Sequence, residues 1–289
     1  MEPKPQKKLT PVMQQHHVAK TAHPDAILFF RMGDFYEMFH DDAVICARLL
    51  DLALTSRNKE DPTEPPMAGV PVHAAHGYIA RLLAAGHKVA ICEQMADPSK
   101  CKGIVPRQVV RVITPGLVTD TDQLDARTNH WLLAVDQTET SGSEVALALL
   151  DLSTGELAAG TMSDLASILA ELARCDPREV LWGAPIDPVV RSGISLAAPR
   201  AVLREDEPLA DADIVSSIDA AVAEPLAAEA ATRLSRSAMR AAARVLRFAR
   251  KCMPGGNLPV RRIGLHESSS TMRIDETAQL HLEILRGVE

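Results

Sequence analysis

Arg31-Met32-Gly33-Asp34-Phe35-Tyr36-Glu37-Met38-Phe39 belongs to the densest aromatic stretch of the chain. Of nine Phe, Tyr and Trp residues, five (Phe29, Phe30, Phe35, Tyr36 and Phe39) fall within eleven positions. The run Ile27-Leu28-Phe29-Phe30 is apolar and unbroken, and reads as a buried strand between His23-Pro24 and Gly33-Asp34. Gly33-Asp34 is a turn signal, because glycine tolerates positive φ and aspartate bonds its own backbone. An aromatic residue just past such a turn, with a carboxylate two residues on, can project from a strand end. The same pattern also suits a core, and alternation across the turn does not decide whether Phe35 or Tyr36 points outward.

At 289 residues the chain is long for one domain. A hydrophobic content of 46% supplies ordinary globular cores. No segment approaches the roughly 18 apolar residues of a membrane span. The start, Met1-Glu2-Pro3-Lys4-Pro5-Gln6-Lys7-Lys8, lacks the apolar run of a secretory signal and reads as a polar tail. Five widely spaced cysteines, none in a Cys-x-x-Cys pair, support neither a disulfide framework nor a zinc site, so a cytoplasmic location is expected. The net charge of −7 is unevenly spread. Residues 1–118 carry 14 Lys and Arg against 12 Asp and Glu, and the remainder 17 against 26. The first part is only mildly basic, so nucleic-acid binding there has to rest on local cations and shape.

Thr10-Pro11 is a helix cap and first-turn proline, opening a helix to about Thr21. Asp41-Asp42 starts a second helix, with Ala43, Ile45, Cys46, Leu49 and Leu50 as its buried stripe. Ala53–Ser56 reads as a short strand and Arg57–Pro66 as a polar loop. A helix over His73–Ala85 ends at Gly86, and strands follow at Lys88–Gln94 and Arg107–Thr114. Residues 119–130 are polar and acidic, a linker. Beyond them come three strands beginning at Trp131, Val145 and Glu156, a helix to Cys175, a strand at Glu179–Trp182 and alanine-rich helices over about 211–250. Both parts are α/β.

Gly33-Asp34-Phe35-Tyr36-Glu37 after an apolar strand closely resembles the mismatch-reading motif of the MutS family of DNA mismatch-repair proteins. Other segments match in order. Thr10–Gln15 looks like the family's opening helix, and Pro66-Met67-Ala68-Gly69-Val70-Pro71-Val72-His73 resembles its proline-flanked loop. Val89–Gln94 and Val109–Gly116 resemble two of its strands. The likeness is strong over residues 9–118 and continuous but weaker afterwards.

The resemblance implies a mixed-sheet mismatch-recognition domain over residues 1–118, the 119–130 linker, a ribonuclease-H-like connector over 131–250, and the start of a helical lever over 251–289. It assigns Phe35 as a wedge inserted at a mispaired or looped base, and Glu37 as a carboxylate that contacts the displaced base. A carboxylate beside phosphates repels ordinary duplex, which sharpens discrimination. Unstacking a step costs a few kcal/mol, and stacking a base on a ring returns about 1–3 kcal/mol, so matched and mismatched DNA can fall on opposite sides of balance. Arg57, Lys59, Arg107 and Arg111 are expected at the DNA backbone, and Met67 in the minor groove or in loop packing. Implied partners are double-stranded DNA with mismatches or small loops, a MutL-type protein through the connector, and a second subunit in the full-length family; an isolated chain of this extent is compatible with a monomer. No cofactor is expected in this chain. ATP and Mg belong to an ATPase domain, and no Gly-x-x-x-x-Gly-Lys-Ser/Thr occurs in this sequence. No catalytic or metal-binding residue is expected. His16-His17, His73 and His76 form no compact ligand set with acids or cysteines. Two alternatives stand beside this reading. One is a metal-dependent nuclease using Asp136 and Asp151 at strand ends, although both read better as turn residues. The other is an interaction module that uses the acidic second part.

Overall fold

The structure is a computed structural model that describes residues 9–56, 64–97, 100–101, 103–118, 130–137, 145–162, 164–183, 186–219, 221, 233–256 and 258–266. Expectations about Arg57, Lys59, most of the 119–130 linker and the segment after 266 lie outside the described residues. The chain divides into two compact units, residues 1–114 with 252–255 and residues 115–251 with 256–289.

In the first unit, α1 (Pro11–Ala22) begins where Thr10 Oγ1 accepts from the Met13 N–H at 3.4 Å. The apolar run becomes β1 (Ala26–Met32), with Ile27 to Phe30 no more than 3% exposed. Gly33, at φ 61°, turns the chain into β2 (Phe35–Phe39). Next comes α2 (His40–Leu50). Asp42, expected only as an acid at the helix start, is buried. Its carboxylate accepts from the Leu28 N–H at 3.0 Å and from Lys20 Nζ at 2.8 Å, tying α1 and α2 to β1.

The expected loop at Pro66–His73 is instead a strand, β3 (Met67–Pro71), leading through a short 3-10 turn into α3 (Ala75–Ala84). The expected strand at Ala53–Ser56 is reduced to one bridge, Thr55 to Met67. Position explains the surprise: β3 is a sheet edge, where the missing N–H of Pro71 breaks no ladder. Arg81 of α3 donates to the Leu49 and Leu50 carbonyls at the end of α2 (2.7 and 3.2 Å), a cation at the negative helix end. β4 (Lys88–Gln94) and β5 (Arg107–Ile113) complete a sheet of order β3-β2-β1-β4-β5. β1 and β4 are parallel, and the other pairs are antiparallel.

The second unit holds β6 (Leu132–Gln137), β7 (Val145–Asp151), β8 (Glu156–Met162), α4 (Leu165–Cys175), β9 (Glu179–Gly183), α5 (Pro188–Ala197), β10 (Val202–Asp206), α6 (Asp211–Asp219), α7 (Arg236–Cys252) and β11 (Arg262–Leu265). Its sheet runs β10-β9-β6-β7-β8-β11. An antiparallel meander is flanked by strands parallel to its first member, which is the ribonuclease-H-like arrangement expected. Alternate residues of β6 and β7 (Leu133, Val135, Leu147, Leu149) pack with Ile168 and Leu172 of α4 and Val190 and Ile194 of α5.

On the other face, Asp136 is 2% exposed and accepts from Arg240 Nε at 3.1 Å and Arg244 Nη2 at 3.0 Å. Asp136 is therefore a mid-sheet ion-pair partner of α7 and not the turn residue expected. Arg244 reaches it because residue 183 is glycine: a Cβ there would lie 2.1 Å from Nη2. Asp151 does hold a turn, its Oδ1 accepting from the N–H of Ser153 at 2.9 Å. The thiols of Cys46, Cys92, Cys175 and Cys252 are buried, and Cys101 is half-exposed. Burial pushes the thiol pKa up to about 12 at Cys46 and about 11 at Cys92.

Candidate nucleic-acid interface

The turn at Gly33-Asp34 sets which side of the sheet each residue of β2 faces. Phe35 is 48% exposed, whereas Tyr36 is 6%, Met38 0% and Phe39 2% exposed. Tyr36, and not Phe35, is thus the core residue of the pair. Phe29 and Phe30 are fully buried, so one ring of the aromatic cluster faces solvent.

Tyr36 is anchored at the tip of its ring. Its hydroxyl donates to the Glu93 carboxylate. Glu93 also pairs with Arg31 Nη1 at 3.5 Å, and the Arg31 guanidinium lies 5.6 Å from the Tyr36 ring centre. Burial and then the Glu93 carboxylate push the Tyr36 pKa up to about 12. The β1–β2 hairpin is therefore clamped from the reverse face, which leaves Phe35 on the opposite one. The Val72 N–H bonds the Asp34 carbonyl at 2.9 Å and ties the hairpin turn to the end of β3.

Register assembles the obverse face. Directly paired residues share a side, and the pairs are Phe35 with Pro71, Glu37 with Gly69 and Phe39 with Met67. Phe35, Glu37, Gly69 and Met67 thus lie on one face, Glu37 and Met67 half-buried. Beneath them α1 lays His16 edge-on against Phe30 (5.3 Å) and Phe39 (5.0 Å). His16 is 4% exposed and its Nε2 has no hydrogen-bond partner. Burial, followed by the nearby charges of His40, Lys20 and His17, lowers its pKa to about 4.

The two described basic residues expected at the DNA backbone differ in placement. Arg107 pairs with Gln94 on the Phe35 side, its guanidinium 5.1 Å from the Phe30 ring centre. It donates through Nε to the Arg31 carbonyl (2.7 Å), through Nη1 to Val105 (3.0 Å) and through Nη2 to Met32 Sδ (3.4 Å). Arg111 pairs with Ile91, which pairs with Phe29, so it lies on the reverse face. His16, Glu93 and the side-chain bonds of Arg107 escaped sequence reasoning. His16 acts through buried ring contacts, Glu93 through a partner 57 residues away and Arg107 Nε through one 76 residues away, and no local pattern announces these.

Fold and site together define a two-part α/β chain whose first part presents one surface ring beside one carboxylate on a strand end. Residues 10–122 match the family model of MutS domain I, and residues 130–259 that of MutS domain II. The DNA mismatch repair protein MutS of Sorangium cellulosum is 61% identical over 295 residues, covering 100% of this chain and 32% of the relative. Those of Syntrophobacter fumaroxidans and Halothermothrix orenii are 53% and 51% identical over 174 and 176 residues, each covering 60% of this chain and 20% and 19% of the relative. The chain belongs to the MutS family of DNA mismatch-repair proteins, and its first domain is that family's mismatch-recognition domain. It spans about a third of the length of the Sorangium relative. Among the described residues no helix is long and apolar enough to cross a membrane.

Proposed function

We propose that the first domain binds duplex DNA at mismatches or small loops, with Phe35 as the inserted ring and Glu37 as the carboxylate that meets the displaced base. The observation that carries this reading is the 48% exposure of Phe35 while the other four aromatics of its cluster are 6% exposed or less. An exposed ring on a rigid strand loses little entropy when it inserts. Met67 lies on the same face and contributes apolar contact there. Arg107 holds the main chain beneath the ring, and Arg57 and Lys59 are assigned to phosphates. Arg111, on the reverse face, is left out of the interface. The nuclease alternative is set aside because both oxygens of Asp136 are engaged by guanidiniums. ATP with Mg in an ATPase domain, a MutL-type partner, a homodimer and a cytoplasmic location belong to the whole protein in this reading.

The test is fluorescence anisotropy with one fully paired duplex and one carrying a G·T mismatch. Phe35→Ala forfeits about 1–3 kcal/mol of base stacking, which lowers the ratio of mismatched to matched affinity roughly 5- to 150-fold. Equal, salt-sensitive binding of both duplexes by the unaltered chain would overturn the reading.

A further inference from the structure

Gly69 is a glycine that its own fold does not require. It sits inside β3 opposite Glu37, and its φ is not positive. A Cβ built there meets nothing closer than the Tyr36 carbonyl oxygen at 3.5 Å, then Glu37 Cγ and Phe35 Cδ1, both at 3.9 Å. These are ordinary van der Waals distances, so a methyl group fits. Gly183, where a Cβ would fall 2.1 Å from Arg244, is the contrasting case of a glycine that packing demands. Glycine within a strand weakens it and marks a bulge, a bend or the close approach of something else. The β2–β3 register is unbroken from Phe35–Pro71 to Phe39–Met67, which leaves close approach. The two side chains that flank the missing Cβ are Phe35 and Glu37.

We infer that Gly69 is a specificity-determining residue. Its missing side chain leaves a slot, floored by the β3 main chain and walled by Phe35 and Glu37, that admits the edge of a displaced base. The inference rests on the reading of Phe35 and Glu37 given above. A base stacked on the Phe35 ring reaches the Glu37 carboxylate by passing over residue 69. A methyl there stands in contact with both walls, and an isopropyl group fills the slot.

The experiment compares the unaltered chain, Gly69→Ala, Gly69→Val and Phe35→Ala, each by thermal melting and by anisotropy on matched and G·T duplexes. Both Gly69 variants keep or raise the melting temperature, since alanine and valine suit a strand better than glycine. The ratio of mismatched to matched affinity falls at least about fivefold in Gly69→Val, the lower end of one lost base–aromatic stack, and less in Gly69→Ala. Affinity for the matched duplex is unchanged. A lowered melting temperature in Gly69→Ala would show that the fold needs the glycine and overturn the inference. So would a Gly69→Val protein of unaltered melting temperature that keeps the full ratio. Should valine destabilise and alanine not, the Gly69→Ala ratio decides, an unchanged value counting against the slot. A preference present in the unaltered chain, lost in Phe35→Ala and kept in the stable Gly69 variants, overturns the slot alone. No preference in the unaltered chain overturns the reading of Phe35 and the slot with it.

Discussion

Phe35 and Tyr36 are sequence neighbours placed on opposite faces of one strand, and their substitutions should separate stability from reading. Phe35 is half exposed, so Phe35→Ala is expected to lower the melting temperature less than truncation of a core ring would, while it removes mismatch preference. Tyr36→Phe removes a buried hydroxyl from Glu93, and equilibrium unfolding should register a loss of about 1 kcal/mol. His16 makes a separate prediction about pH. Its folded pKa of about 4 lies below its ordinary value of 6.5, so the unfolded chain takes up the proton first. The stability from neutral His16 is fully present above pH 6.5 and is lost as pH falls toward 4, on the order of 3 kcal/mol in all. Urea unfolding at pH 7 and pH 4.5 measures the loss. In His16→Leu the drop should be smaller by about that amount.

At the level of elements, Arg107 is the instructive case. From sequence it is one more cation near a strand end; in the fold its guanidinium bonds the Arg31 and Val105 carbonyls. Arg107→Gln, which removes the charge, should therefore lower stability by about 1–2 kcal/mol and leave the salt dependence of DNA binding unchanged. A phosphate contact would instead reduce the salt slope by about one. The strands β1, β4, β6, β7 and β8 were legible because each is an apolar run bounded by turn residues. The helices α1 and α4 were legible because cap and stripe coincide. β3 was not, because two prolines and a glycine spell a loop unless the strand is known to be an edge. α5 and β10 were not, since a short helix containing Gly193 and a polar edge strand carry weak periodicity. The face that Phe35 occupies was illegible for another reason: a turn resets strand alternation, and the contacts that hold Tyr36 inward include one with Glu93, 57 residues away.

At the scale of the molecule, the two units carry separate cores, and both tryptophans, Trp131 and Trp182, lie in the second. Tryptophan fluorescence therefore reports the unfolding of that unit. Asp136→Asn leaves Arg244, 1% exposed, with a weakened partner, and the fluorescence-detected transition should lose roughly 3 kcal/mol. Replacing both residues, Asp136→Leu with Arg244→Met, should restore only part of it, because Arg240 then loses its Asp136 partner and Asp206 keeps Arg247 but loses Arg244. The cysteines have a practical consequence. Four of the five thiols are buried and one, Cys101 between β4 and β5, is half-exposed. A maleimide dye applied to the native chain should thus attach at a single position, and at all five once the chain is denatured. The unaltered protein carries its own attachment point for a reporter, on the loop that joins the two strands nearest the Arg107 side of the sheet.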